Sequence, residues 1–116
     1  MGGAGAGALS WRAMDDLFGA GRAALTAAIL DGDGATARAE RQAAYDGTPA
    51  GPAAAALVAT VRAHAYRVTD AQVAAVRAEG KDDAAIFELT VAAAVGQATR
   101  QLDHALAALA TIEEAG

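Results

Sequence analysis

The stretch spanning residues 68–106 carries the sharpest boundary signals in the chain. Thr69 is followed three residues later by Gln72, a spacing that matches a capping box and begins a helix. Gly80 is the expected left-handed stop of that helix. Asp82 can then cap a second helix, whose apolar residues recur at helical spacing for roughly two dozen residues or more. The stretch therefore predicts a short helix, a glycine stop and a long apolar helix.

Composition favours helices in the rest of the chain as well. Of 116 residues, 54% are hydrophobic but only 4% are aromatic, and alanine is the commonest residue. Alanine is the best helix former, whereas strands favour β-branched and aromatic side chains. Turn signals at 31–34 and 47–52 separate three further helices, at about 10–30, 35–45 and 53–67. We predict an all-α bundle of about five helices, forming a single domain at 9–116 behind a flexible N-terminal tail at 1–8.

The charge pattern argues against several classes of partner. The formal net charge is −5, the single lysine is Lys81, and the arginines are scattered along the chain. Nucleic-acid backbones and anionic membranes attract clustered basic residues, so neither is an expected partner. No uncharged apolar run approaches the ~20 residues that span a bilayer, and residues 1–8 lack the basic segment of a secretory signal. We therefore expect a cytoplasmic protein.

Metal and cofactor sites are not expected either. The chain has no cysteine, and its two histidines, His64 and His104, lie far apart in the sequence. Zinc sites in proteins are built mainly from clustered cysteine and histidine ligands. The acidic turn at 31–34 could suggest calcium, but the spacing does not match a twelve-residue EF-hand loop, and no bidentate Glu stands at its end. The sequence predicts no metal and no cofactor.

The hairpin at 68–106 resembles the alkylhydroperoxidase D and carboxymuconolactone decarboxylase-like family. In that family VTD or a relative opens the short helix, as residues 68–70 do here, and an acidic residue lies early in the long helix, as Glu88 does. The resemblance covers about a third of the chain. It implies the family's helical fold and assembly through the long helices. The family's Cys-x-x-Cys-x-x-x-His motif is absent, and an ungapped count puts Arg100 and Asp103 near its cysteine positions, so thiol peroxidase chemistry is not expected.

Glu88 is the most informative single residue. Its neighbours one helical turn away are apolar, so its side chain should be buried and must find a distant partner or carry a raised pKa. As a structural residue it would pair with an arginine from another helix or subunit. As a functional residue it would be a general base or a proton-relay member, the role that the family resemblance implies.

The candidate catalytic residues are Glu88, Arg100 and His104. His104 lies on a polar strip of the long helix with Arg100, and a solvated face is the alternative interpretation of that strip. His64 shares an apolar stripe with Leu57 and Val61 in the third predicted helix. That position predicts a hydrogen-bonded core histidine more than a ligand.

Two functional hypotheses remain open at this point. In the first, the chain is a self-assembling, non-redox helical protein, because an alanine-rich core buries little apolar area and a homo-oligomer would complete it. In the second, it is a small cofactor-free enzyme using acid-base chemistry at Glu88 on an anionic or lactone-like substrate, as the lactone decarboxylase branch implies. A cleft holding Glu88, an arginine and a histidine favours the enzyme. A Glu88 closed by apolar side chains and one arginine favours the assembly.

Overall fold

The computed structural model describes residues 11–115, and every regular element in that range is helical. The α-helices are α1 (Trp11–Asp31), α2 (Arg38–Asp46), α3 (Pro52–His64), α4 (Asp70–Ala78) and α5 (Asp83–Ala115). A 3₁₀ turn, Ala65–Arg67, follows α3. The described residues contain no strand, so the predicted all-α class with a long C-terminal helix is confirmed. The predicted tail at residues 1–8 lies outside the described residues.

Local capping signals place α4 and α5 where the sequence predicts them. The backbone N–H of Gln72 donates to the Thr69 hydroxyl, and the N–H of Thr69 donates to the Gln72 side chain, both at 3.2 Å. Gly80 has a φ of +99°, in the left-handed region that glycine adopts without a Cβ penalty. Asp82 accepts a 2.8 Å hydrogen bond from the N–H of Ala85. These short-range interactions fix the start of the long helix.

The hydrophobic core lies between α2, α3, α4 and the N-terminal half of α5. Its buried members are Ala44, Leu57, Val58, Val61, Val76, Ile86, Leu89, Ala92 and Ala93. None of these side chains is aromatic, which suits close approach of the helix backbones. The core therefore occupies only one end of α5.

The C-terminal half of α5 continues beyond this core and packs against α1. Ile29 borders the same cavity as Val91, and Arg22 forms an ion pair with Asp103, so the two helices run antiparallel. The molecule measures 63 × 28 × 19 Å, and its radius of gyration is 17.9 Å, compared with about 13 Å for a compact domain of this length. We call this two-helix extension the arm.

The outer face of α5 carries an exposed, uncharged row of residues, which we call the apolar stripe. Its members are Phe87, Val91, Ala94, Ala98, Ala105, Ala108 and Ile112, with Gln101 at the remaining position of the repeat. Phe87 is 69% exposed and Ile112 is 66% exposed. Apart from Val91, which is partly buried, every member is exposed. No helix in the described part of the chain covers this row.

Two predicted helix boundaries are wrong. The second helix begins at Arg38 rather than at residue 35, because the backbone of Ala37 is extended, with a ψ of 152°, and its N–H donates to the side chain of Glu40 as the N-cap residue. The third helix ends at His64, where φ is −154°, and continues as the 3₁₀ turn. His64 is consequently exposed rather than in the core, and its ring meets Tyr66 edge-on with centroids 5.7 Å apart.

Candidate functional site

Glu88 lies where α5 passes the loop that connects α1 to α2. Its Oε2 accepts a hydrogen bond from the N–H of Ala35 at 2.6 Å. Its Oε1 accepts from the N–H of Thr36 at 3.0 Å and from the Thr36 hydroxyl at 2.6 Å. The Glu88 side chain is 22% exposed. The expected distant partner is therefore present, and its nearest groups belong to the loop at 32–37.

Arg41 of α2 holds the same loop from the other side. The Arg41 side chain is 6% exposed, and its guanidinium group donates to the carbonyls of Leu30 at 2.8 Å and Gly32 at 2.7 Å, as well as to the Thr36 carbonyl. The carbonyls at the end of α1 have no partner within their own helix. Nη1 of Arg41 also lies 3.6 Å from Oε1 of Glu88. The predicted ion pair with an arginine from another helix is thus present.

Together, Glu88 and Arg41 form what we call the loop clamp. The carboxylate accepts from the N–H groups of the loop, and the guanidinium donates to its carbonyl groups. Backbone N–H and C=O groups that are removed from water need hydrogen-bond partners, and this loop lies outside any helix. Glu88 and Arg41 supply those partners. The loop clamp leaves no room for a side chain at Gly34, because a Cβ there would lie 2.5 Å from Oε1 of Glu88.

Hydrogen bonding holds the pKa of Glu88 well below its usual range. The Thr36 hydroxyl has the largest effect, followed by the N–H groups of Ala35 and Thr36, and together with Arg41 they outweigh desolvation and lower the pKa to about 2. The alternative expectation of a raised pKa is wrong. A carboxylate with so low a pKa is a weak general base near neutral pH. The geometry therefore favours a structural role for Glu88.

The lowered pKa of Glu88 predicts a specific pH dependence of stability. The pKa is 4.5 in the reference state and about 2 in the fold, so its stabilising contribution is complete above pH 4.5 and is lost as the pH falls from 4.5 towards 2. Glu88→Gln cannot titrate, so its thermal midpoint should fall less steeply than that of the parent over this window. Melting curves recorded between about pH 2 and pH 6 measure both slopes. Equal slopes would contradict the assignment.

A cavity of about 180 Å³ opens beside the loop clamp. Its lining residues are Ala28, Ile29, Asp33, Arg41, Phe87, Glu88 and Val91. The lining thus contains two carboxylates, Asp33 and Glu88, and one arginine, but no histidine. The oxygen atoms of Glu88 and the Nη atoms of Arg41 are already hydrogen-bonded to the loop, whereas Nε of Arg41 is buried without a hydrogen-bond partner among the described residues.

The three candidate catalytic residues do not form one site. At about 1.5 Å per residue, Arg100 lies about 18 Å and His104 about 24 Å from Glu88 along α5. Arg100 donates to the carbonyl of Tyr45 at 3.0 Å, and its Nε and Nη2 are buried without a hydrogen-bond partner among the described residues. His104 is exposed, in agreement with the predicted solvated face. Their catalytic roles stay predictions.

Glu79 supports the N-terminus of α3 in a similar way, although no sequence motif marks it. Its carboxylate accepts hydrogen bonds from the N–H groups of Ala53 and Ala54, both at 3.1 Å. Gly51 at the N-cap has no side chain with which to accept them. A negative charge at a helix N-terminus is also favoured by the helix dipole. The partners are 25 and 26 residues apart in sequence, so no local pattern reveals them.

A second cavity of about 250 Å³ lies near the start of α5. Its lining residues are Ala39, Glu40, Ala43, Pro49, Ala50, Lys81 and Leu89. Lys81 forms a 2.9 Å ion pair with Glu40, which lowers the pKa of Glu40. The two charged groups at this cavity are therefore paired with each other.

Neither a protein-family model, nor a curated protein, nor a solved structure matches the chain. Among the side chains that the structure describes, no group of three or more His, Cys, Asp or Glu is placed to hold a metal ion. Within residues 11–115, no helix is both long and apolar enough to cross a membrane.

Proposed function

We propose that this chain is a self-assembling, non-redox helical protein with a carboxymuconolactone decarboxylase-like fold, and that its working form is a cytoplasmic homo-oligomer. The observation that carries the proposal is the apolar stripe on α5. It extends over about seven turns of helix, contains no charged residue, and is exposed along nearly its whole length. Contiguous apolar patches larger than a few hundred Å² on soluble proteins commonly mark interaction sites.

The exposed apolar side chains supply the driving force for assembly. Phe87 and Ile112 lie at the two ends of the stripe, and Leu25 on the neighbouring α1 is 51% exposed. Removing apolar surface from water is worth roughly 25 cal/mol per Å². In the arm, α1 and the C-terminal half of α5 pack only against each other. A partner that covers the stripe would give α5 a second packed face there.

The polar residues of the site also support a structural function. The oxygen atoms of Glu88 accept from the loop, and the Nη atoms of Arg41 donate to loop carbonyls. These hydrogen bonds hold the loop after α1 against α5, which is a structural role for both side chains. Thiol redox chemistry requires a thiolate, and the sequence contains no cysteine.

The cavity beside Glu88 is the observation that favours the alternative function. A cofactor-free enzyme acting on an anionic or lactone-like substrate would place its substrate there, next to Glu88 and Arg41. Arg100 is too distant to take part at that position. Turnover of a small lactone that Glu88→Gln abolishes, without lowering the thermal midpoint, would favour the enzyme over the assembly.

Light scattering coupled to size exclusion tests the proposed assembly. We expect a mass of at least twice the 11.4 kDa of one chain at micromolar concentration. Because the stripe is uncharged, that mass should persist at about 1 M salt, where the Debye length is about 3 Å. A mass of 11.4 kDa at low salt would overturn the proposal.

A further inference from the structure

We propose that the apolar stripe is the contact between two copies of this chain, whose α5 helices pack antiparallel about a two-fold axis passing between Ala98 and Gln101. This inference rests on the proposed self-assembly and adds the surface, the partner and the orientation. The partner is a second copy of the same chain.

The spacing of the stripe residues is that of a helix which packs along its length against a second helix. Its positions alternate between steps of four and three residues, which is the average period of 3.5 that keeps one seam facing a partner helix. The five central positions are four alanines and Gln101, and the larger Phe87 and Ile112 lie at the two ends. Alanine layers let two backbones approach within about 8 Å.

The sizes of the side chains favour the antiparallel orientation. In that orientation Phe87 packs against the partner's Ile112, and Ala94 packs against the partner's Ala105. Each end of the contact then contains one aromatic and one aliphatic side chain, and the middle consists of small residues. A parallel pair would place two Phe87 rings together at one end and force the helices apart there.

Electrostatics favours the same orientation. Each chain has a formal net charge of −5, so two copies repel unless their charged regions are kept apart. The antiparallel pair places the two globular ends, built from α2, α3 and α4, at opposite ends of the dimer. It also places the positive N-terminal end of each α5 dipole beside the negative C-terminal end of the other. The stripe itself brings no like charges together.

The stripe supplies about half the area of a standard interface, and exposed residues of α1 add to it. The stripe from Phe87 to Ile112 is about 38 Å long, and one helix is about 10 Å wide, which gives about 380 Å² per copy. Each partner buries roughly 800 Å² in a standard interface. Ala28 borders the same cavity as Phe87, and Leu25 is exposed one turn away, so these two residues of α1 extend the uncharged surface at the Phe87 end.

A second copy fits this surface better than a charged partner. A stripe without charge cannot select an acidic or basic peptide, since such partners are recognised through opposite charges. It also lacks the Lys and Arg residues with which amphipathic helices bind anionic lipid. An alanine-rich helix instead finds its steric match in an identical alanine-rich helix.

A pair of arginine substitutions tests whether the stripe is the contact. Ala105 lies on the stripe, and Ala107 is an exposed alanine two residues further along the same helix but on another face. We expect Ala105→Arg to give the 11.4 kDa mass of one chain, whereas Ala107→Arg keeps the mass of the parent. Circular dichroism should show the parent's helix content in both variants. An oligomeric Ala105→Arg would overturn the stripe as the contact while leaving self-assembly intact. A monomeric parent would overturn both.

Disulfide trapping tests the orientation, and the absence of native cysteine makes it unambiguous. Ala94→Cys and Ala105→Cys are prepared separately and then oxidised alone or as an equimolar mixture. We expect a covalent dimer only in the mixture, because the antiparallel pair brings position 94 next to position 105. Identical positions lie about 16 Å apart in that pair, well beyond the ~7 Å that a disulfide can bridge. A covalent dimer of Ala105→Cys alone would overturn the orientation, and no covalent dimer in any sample would overturn the contact.

Discussion

Replacing Glu88 with glutamine is expected to lower the thermal midpoint by roughly 5–12 °C, corresponding to about 1–3 kcal/mol of unfolding free energy. The Glu88 carboxylate accepts three hydrogen bonds from Ala35 and Thr36. Glutamine has the same shape, but its NH₂ group would face a donor of the loop. The substitution also removes the anion beside the buried guanidinium of Arg41. Thermal melts followed by circular dichroism at neutral pH measure the effect.

Two further variants separate the loop clamp from general effects of substitution. His104→Ala removes an exposed side chain from the same helix, so it should change the unfolding free energy by less than about 0.5 kcal/mol. Gly34→Ala should reproduce the loss seen for Glu88→Gln, since its Cβ would displace the Glu88 carboxylate. If Glu88→Gln melts like the parent, the loop does not depend on the carboxylate, and a functional acid or base becomes the better interpretation.

The parts of the fold that were predictable from sequence are those determined by neighbouring residues. The capping box of Thr69 and Gln72, the left-handed Gly80 and the Asp82 cap are each complete within about four residues. Their hydrogen bonds require no knowledge of the tertiary structure. These signals determine where α4 begins and ends and where α5 begins.

The contacts of the site could not be predicted in the same way. Glu88 bonds to residues 52 and 53 positions away, and helical periodicity says only that its face is apolar, not which loop passes over that face. Arg41 belongs to a helix rich in polar residues, yet Arg41 is buried. Periodicity assigned His64 to the core because it assumed that α3 continues, and the 3₁₀ turn breaks that assumption.

Gly96→Ala is expected to destabilise the protein by about 1–3 kcal/mol, although the same change in an ordinary helix interior stabilises it. Gly96 lies inside α5, which is a single helix from Asp83 to Ala115. Gly96 is buried, and a Cβ there would overlap the carbonyl group of Tyr45 at the end of α2. The same carbonyl accepts a 3.0 Å hydrogen bond from Arg100. The glycine therefore serves close packing between α2 and α5, and a methyl group would push the two helices apart.

Gly21→Ala is the matched control, and its effect should have the opposite sign. Gly21 also lies inside a long helix, but it is exposed, and a Cβ there would meet nothing within 4 Å. Replacing it should raise the unfolding free energy by about 0.5–1 kcal/mol, because alanine loses less backbone entropy on folding. Urea or thermal unfolding of the two variants beside the parent measures both changes. If Gly96→Ala also stabilised the protein, α2 could not approach α5 as closely as the structure shows, and the Arg100 contact with Tyr45 would lose its basis.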